Sequence, residues 1–339
     1  MPCFFCHVRV AKRRAPSSRS AGSAAAMVCL GVLALTQLAW LPGCSKSSPS
    51  TSGSSAPTTQ TDAIRVGISF QELDNPYFVV MKEAAEEATR SIGAELFITD
   101  ARHDVTKQLS DIEDLVQKGI DILLINPTDS VGVETAVQSA KKAGVVVVAV
   151  DAQANGPIDS FVGSQNYDAG HQAGEALAKS LDGKGEIAIL NGIPVVPILE
   201  RVKGFRDAVA KYSELKIVDT QNGNQERSVS MSVTENMLQA HPDLRGLFSV
   251  NDGGALGALS AIQASGKDIA LVSVDGQKEV VAEILKGGPF KATVAQFPRD
   301  QIRVALGIAL AKHWGAAVPQ AIPIEVKLLT ADNAQGFSW

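Results

Sequence analysis

Seven short apolar runs in this chain each lead to an Asn, Asp or Gln, and this pattern constrains the fold more than any other feature. Ile120 to Ile125 ends at Asn126, Val145 to Val150 at Asp151, and Ile187 to Leu190 at Asn191. Leu247 to Val250 ends at Asn251 and Asp252, Leu271 to Val274 at Asp275, and Ala292 to Ala295 at Gln296. Ile64 to Phe70 reaches Asn75 after a short loop. Runs this short and this apolar read as strands buried on both faces, the condition of parallel sheets covered by helices. In open parallel sheets a ligand binds just beyond the carboxyl ends of the strands. The polar residues at those ends would therefore converge on one place. Their chemistry, uncharged or acidic hydrogen-bonding groups, suits a polyhydroxylated and uncharged small molecule.

Between the runs the apolar period lengthens to that of a helix. Phe78, Met81, Ala85, Ala88 and Ile92 would form one buried stripe, and Leu109, Ile112 and Val116 another. Gly119, Gly144 and Gly266 stand between a helix pattern and a strand pattern, as helix C-terminal caps do. Strand–helix–strand alternation means α/β architecture with right-handed crossovers. A chain of 339 residues is long for one core, so two domains are expected. The alternation breaks near residues 160–166, a candidate boundary. Periodicity alone also allows a single (β/α) barrel, whose site lies at strand carboxyl ends as well.

The start of the chain has a different character. Arg9, Lys12, Arg13, Arg14 and Arg19 precede an apolar stretch from Ala24 to Trp40, and no acid occurs before Asp62. A basic segment followed by a short apolar one reads as an export signal over 1–43. The stretch is short for a membrane span. Leu41-Pro42-Gly43-Cys44 resembles a bacterial lipobox, although Pro42 stands where small residues are usual; Cys44 would become the lipidated first residue of the mature protein. Residues 44–62, rich in Ser, Thr and Pro, read as a flexible tether to the membrane surface. Cys3-Phe4-Phe5-Cys6-His7 matches a haem-attachment pattern, but it falls in the segment that processing would remove and reads as chance. No cysteine follows Cys44, which excludes disulfide and thiolate chemistry from the body.

Cut before Cys44, the chain keeps 26 Lys and Arg against 36 acids, a net charge of −10. An acidic body is a poor partner for nucleic acid. Catalytic signatures are lacking too: there is no G-x-S-x-G elbow, P-loop or G-x-G-x-x-G fingerprint. The five histidines, His7, His103, His171, His241 and His313, do not pair at metal-ligand spacing. Neither enzyme activity, a cofactor nor a metal is expected.

Several local blocks then narrow the reading. Asp74-Asn75-Pro76-Tyr77-Phe78, Ile125 to Ser130, Glu200 to Phe205, Asn251-Asp252 with Leu256 to Leu259, Val274-Asp275-Gly276 and Thr293 to Gln296 resemble, in order and near-spacing, the ribose-type periplasmic sugar-binding proteins. The resemblance covers about 64 to 328. It implies two Rossmann-like lobes with parallel sheets, joined by a three-crossing hinge. The N-terminal lobe would hold 64–164 plus 297–325, and the C-terminal lobe 165–296 plus 326–333. A ligand would be trapped between closing lobes and handed to an ABC permease with its ATPase subunits. It implies ligand contact at Asn75, Tyr77, Phe78, Asn126, Asp151, Arg201, Gln225, Asn251, Asp275 and Gln296.

The residue types suit that task. A carboxylate accepts from two neighbouring hydroxyls, an Arg fork donates to two oxygens, and aromatic rings cover the C–H face of a sugar. Each residue also has a plainer role open to it. Asp275 and Asn251 could cap helices, Asn126 could serve a turn before Pro127, Arg201 could be solvated, and Phe78 belongs to the apolar stripe. Two positions depart from the ribose pattern: Ala152 replaces an Arg after the Asp, and Gln225 replaces a third aromatic. The expected ligand is thus a ribose-like pentose, a hexose or a polyol. The expected protein is a monomeric, membrane-anchored lipoprotein of the periplasm or cell envelope. A second reading keeps the fold and makes it a sugar-sensing subunit for a chemoreceptor or sensor kinase. A related repressor would need a basic helix-turn-helix where this chain has its apolar stretch and Ser-rich segment.

Overall fold

The computed structural model describes residues 63–339. The signal over 1–43, the tether over 44–62, Cys44 and the Cys3–His7 pattern lie outside the described residues. Among the described residues, no helix is long and apolar enough to cross a membrane.

The first half of the chain runs β1 (Arg65–Phe70), α1 (Pro76–Ser91), β2 (Glu95–Asp100), α2 (Val105–Gln117), β3 (Ile122–Ile125), α3 (Glu134–Lys142), β4 (Val146–Val150) and β5 (Ser160–Ser164). Next come α4 (Asn166–Ser180), β6 (Lys184–Asn191), α5 (Val196–Val209), β7 (Glu214–Asn222), α6 (Arg227–Ala240) and β8 (Leu244–Ser249). The remainder is α7 (Asp252–Ser265), β9 (Ala270–Asp275), α8 (Lys278–Lys286), β10 (Phe290–Ala295), α9 (Pro298–His313), β11 (Ala321–Ile324) and β12 (Lys327–Thr330).

These strands form two sheets, in the orders β11-β5-β4-β3-β1-β2 and β12-β10-β9-β8-β6-β7. All seven apolar runs are strands within them. Their continuous apolarity follows from burial on both faces. On β3, Ile122 and Leu124 join the core beneath α1 and α9, while Leu123 and Ile125 join the core beneath α2 and α3. On β9, Leu271 faces one core of the second lobe, and Val272 and Val274 face the other. The two-lobed architecture excludes the single barrel.

The chain passes between lobes after β5, after β10 and between β11 and β12. The break read near 160–166 is therefore strand β5 followed by the first of these passages. β12 departs from the parallel expectation: it pairs antiparallel with β10. The reason is geometric. β11 runs toward the cleft with its sheet, and only Glu325 and Val326 separate it from β12. Once across, β12 can only run away from the cleft, against neighbours that point into it.

Helix α1 begins on an Asn75 cap, whose Oδ1 accepts from the Tyr77 backbone N–H at 3.0 Å, with Pro76 preset for the first turn. Phe78, Met81 and Ala85 are buried as the stripe requires, but Ile92 is 48% exposed. It lies at the helix's C-cap, beyond the last turn that faces the sheet, and Thr89 occupies the buried position instead. Gly119, Gly144 and Gly266 all take positive φ at helix ends.

Candidate ligand-binding site

The carboxyl ends of both sheets face one another across a cleft. Its deep pocket is lined by Gln71, Asn75, Tyr77, Phe78, Asp151 and Ala152 from the first lobe. Val195, Pro197, Ile198, Arg201, Gln225, Asn251, Asp275 and Gln296 line it from the second. Nine of the ten residues singled out from the sequence thus meet in one pocket. The tenth, Asn126, is fully buried behind it. Its Oδ1 accepts from the Gln71 backbone N–H at 3.2 Å, and its Nδ2 lies 3.3 Å from Asp151 Oδ2.

Asp151 ends β4 with φ at 66°, a left-handed conformation unusual for a residue with a Cβ. Oδ1 accepts from the Tyr77 hydroxyl at 3.2 Å, and that hydroxyl accepts from Gln301 Nε2 at 2.7 Å. Burial pushes the Asp151 carboxyl up to about 6, against the pull of the Arg201 guanidinium and with a further push from Asp275. The same burial, reinforced by Asp151, drives the Tyr77 phenol well above its ordinary value, so it remains a donor.

Arg201 is buried rather than solvated. Helices α4 and α5 approach so closely that a Cβ on Gly170 would lie 1.8 Å from the Arg201 carbonyl oxygen. The guanidinium is held by Asn166 Oδ1 at 2.8 Å and the Val250 carbonyl at 2.9 Å, with Asp275 Oδ1 at 3.5 Å. Asp275 also accepts from Gln296 Nε2 at 2.8 Å and from the Asp252 backbone N–H at 3.1 Å. Burial raises its carboxyl, with Arg201 opposing. Its φ of 141° is strained for a non-glycine residue. Both pocket carboxylates therefore sit on strained backbone, a pattern that clusters at functional sites.

Asp252, which reasoning from the sequence left as part of a motif, organises this corner. Its Oδ2 accepts from the backbone N–H of Gly276 at 2.9 Å and of Gln277 at 2.7 Å. Its Oδ1 accepts from Thr293 Oγ1 at 2.8 Å and from Ser273 Oγ. Full burial and the nearby Asp275 push its carboxyl well up. Its position beside Asn251 at a strand end was the available signal.

Phe78 both belongs to the core and lines the pocket, edge-on to Tyr77 at 5.3 Å. Asn251 caps α7 through Oδ1, while its Nδ2 donates to the Gln225 carbonyl at 3.2 Å. Gln225 has φ of 63° and its Oε1 accepts from the Ile193 backbone N–H at 3.3 Å. Gln296 Oε1 is buried without a hydrogen-bond partner. Buried polar atoms are nearly always partnered, and this one lies on a residue that lines the pocket.

Past Gln71, Asn75 and Gln225 the pocket opens into an outer cavity of about 750 Å³. At its rim Glu72, Asp74 and His103 bring one ligand-type atom each within 4.8 Å of one another. His103 Nε2 lies 2.6 Å from Glu72 Oε2 and 3.6 Å from Asp74 Oδ2, so the three groups partner one another.

Two lobes with polar strand ends meeting across a hinged cleft define a binding protein that holds a small molecule between them. The chain belongs to the periplasmic binding protein family: the family's domain model matches residues 66–314. It is 40% identical to the ribose import binding protein of Bacillus subtilis over 267 residues, 78% of this chain and 87% of that one. It is 33% identical to the D-ribose/D-allose-binding protein of Pseudomonas aeruginosa, over 79% of this chain and 89% of that one. Among solved structures, a Mycobacterium smegmatis ABC transporter solute-binding protein with bound glycerol superposes with a TM-score of 0.78. The two are 33% identical over 80% of this chain and 96% of that one. The Caulobacter myo-inositol binding protein with bound myo-inositol superposes with a TM-score of 0.76, at 29% identity over 80% and 94% of the chains. The chain is accordingly a ribose-type binding protein and not an enzyme.

Proposed function

We propose that this protein captures one monosaccharide or polyol between its lobes and delivers it to an ABC permease and its ATPase subunits. The observation that carries this reading is the convergence of two carboxylates, a buried Arg, five amides and two aromatic rings from both lobes in one pocket. Asp151 and Asp275 accept from ligand hydroxyls, Arg201 donates to hydroxyl or ring oxygens, and Asn75, Gln225, Asn251 and Gln296 do both. Tyr77 and Phe78 supply the apolar wall. Asn126 acts one step back, by fixing Asp151 and the Gln71 backbone. Closure removes water, so each unmatched hydroxyl costs about 1–3 kcal/mol, which separates epimers.

The lobes we assign are 64–164 with 297–325 and 165–296 with 326–333, in keeping with the sheet to which each strand belongs. Ala152 and Gln225 leave one charged donor and one stacking ring fewer than the ribose pattern, which widens the ligand class to other pentoses, hexoses and polyols. We further place the protein at the outer face of a membrane, as a monomer tethered by lipid on Cys44; the export-type segment and the lipobox-like Leu41–Cys44 support this. Cells lacking the chain should lose high-affinity uptake of the labelled ligand and regain it with wild type but not with Asp275→Ala. Unchanged uptake in the deletion would refute the transport role. Cys44→Ser should move the protein from the detergent phase to the aqueous phase of a phase-separation assay; retention in detergent would refute the anchor.

A further inference from the structure

The segment after β12 turns back toward the cleft. Asn333 makes the turn: its Oδ1 accepts from the Thr330 backbone N–H at 2.8 Å and its Nδ2 donates to the Leu328 carbonyl at 3.0 Å. Ala334 is then buried in a second-lobe core, and Phe337 packs edge-on against Phe297 at one of the lobe passages, 6.2 Å between centroids. Trp339 reaches the first lobe. Its ring packs against that lobe's core and meets Tyr77 edge-on, at 5.7 Å and 83°. Its indole N–H donates to the Asp275 carbonyl oxygen at 3.0 Å. One side chain thus joins a first-lobe ring to a second-lobe strand end.

We infer that Trp339 is a positioning residue for the ligand pocket, a clasp that joins the two lobes and holds the pocket's two carboxylates. It does not line the pocket itself. The Asp275 backbone is strained, and its carbonyl is held by two donors, the Trp339 indole and the Gln296 N–H at 3.0 Å. Tyr77, on which the Trp339 ring rests, donates to Asp151. Removal of Trp339 therefore loosens one carboxylate through its own backbone and the other through its hydroxyl donor. Opening of the cleft carries Tyr77 away from Asp275, so the ring contact and the N–H bond cannot both persist. The clasp favours the closed state and acts mainly on ligand release, where most affinity differences arise.

This inference rests on the reading of the pocket as a sugar or polyol site, and the experiment separates the two. Wild type, Trp339→Phe and Trp339→Ala of the full chain are compared by stopped-flow binding of D-ribose, D-allose and myo-inositol, by ligand-free melting, and by hydrogen exchange. Trp339→Phe keeps a ring and loses the donor; a lost hydrogen bond of ordinary strength raises the release rate about three- to tenfold. Trp339→Ala raises it further, with capture rates and ligand-free melting little changed and faster exchange in peptides spanning 272–278 and 76–82. Unchanged release and exchange, or a lower melting temperature with unchanged release, would overturn the clasp. If wild type binds none of the three probes, the ligand lies outside these three, and melting against further pentoses, hexoses and polyols decides the ligand reading. The exchange comparison then decides the clasp alone: faster exchange supports it and unchanged exchange overturns it.

Discussion

Asp275→Asn is the most informative single change in the pocket. Three donors point at this carboxylate: Gln296 Nε2 and Arg201 Nη1 at Oδ1, and the Asp252 backbone N–H at Oδ2. An amide offers one oxygen, so whichever way it turns, one end of the side chain sets an N–H₂ against an N–H donor. Loss of a hydrogen bond to a charged acceptor costs about 1.5–3 kcal/mol. At the ligand, that is roughly a 10- to 150-fold rise in Kd. The fold suffers less, because loss of the charge also relieves repulsion with the buried Asp252 carboxyl. Asp275→Ala is the harsher variant. It leaves the Arg201 guanidinium buried with Asp151 as its remaining counter-charge, and some stability will go with affinity. Calorimetric titration of both variants with the wild-type ligand, alongside ligand-free melts, gives the two quantities separately. A Kd for Asp275→Asn within twofold of wild type would remove this carboxylate from the ligand.

Other consequences follow from the same geometry. On the proposed function, in which ligand hydroxyls donate to ionised Asp151, affinity should fall about tenfold for each pH unit below roughly 6. The ligand-free protein should respond in the opposite sense at this residue. Its raised carboxyl contributes stability that is complete below the ordinary carboxylate value and is lost as pH rises through about 6. A Kd equal at pH 5 and pH 7.5 would contradict this. Gly170→Ala should force α4 from α5 at the Arg201 carbonyl, costing up to about 3 kcal/mol, or a drop of about 6–12 °C in melting temperature; an unchanged melt would show that the helices can part freely. Ala152→Arg, at a buried position on the pocket wall, should shift preference toward ribose over allose and myo-inositol. An unchanged ratio of dissociation constants would place the source of the specificity elsewhere.

Much of this was legible in the chain because burial leaves a clear mark on sequence. β3, β4 and β9 are buried along their whole length, so their runs are apolar but for Ser273 and their ends are sharp. Edge strands lack that mark. Neither β2 nor β7 contains a fully buried residue, so neither gave a run. No apolar run marks β12; the resemblance alone put residues 326–333 in the second lobe, and the antiparallel pairing with β10 is a fact of topology rather than composition. The site was legible where the pocket-lining residue is also a strand terminus, as at Asp151 and Asp275. It was not legible where a residue serves from behind. Asn126 has the same position at a strand end, yet faces Asp151 rather than the pocket. Asp252, Gln301 and Trp339 act through other side chains or through backbone; Asp252 has its strand-end position beside Asn251 as a signal, whereas no local pattern distinguishes Gln301 or Trp339 from ordinary core or surface.

The central claim, that the closed pocket holds a sugar or polyol, is tested most directly by melting the protein against D-ribose, D-allose, myo-inositol and a set of other pentoses and hexoses. At 100 times its Kd a ligand stabilises the folded state by about 2.7 kcal/mol, on the order of 5–10 °C for a body of this size. A shift of that size with one sugar or polyol, and a smaller one with its epimers, is the result expected. A cooperative melt that none of these compounds moves would contradict it.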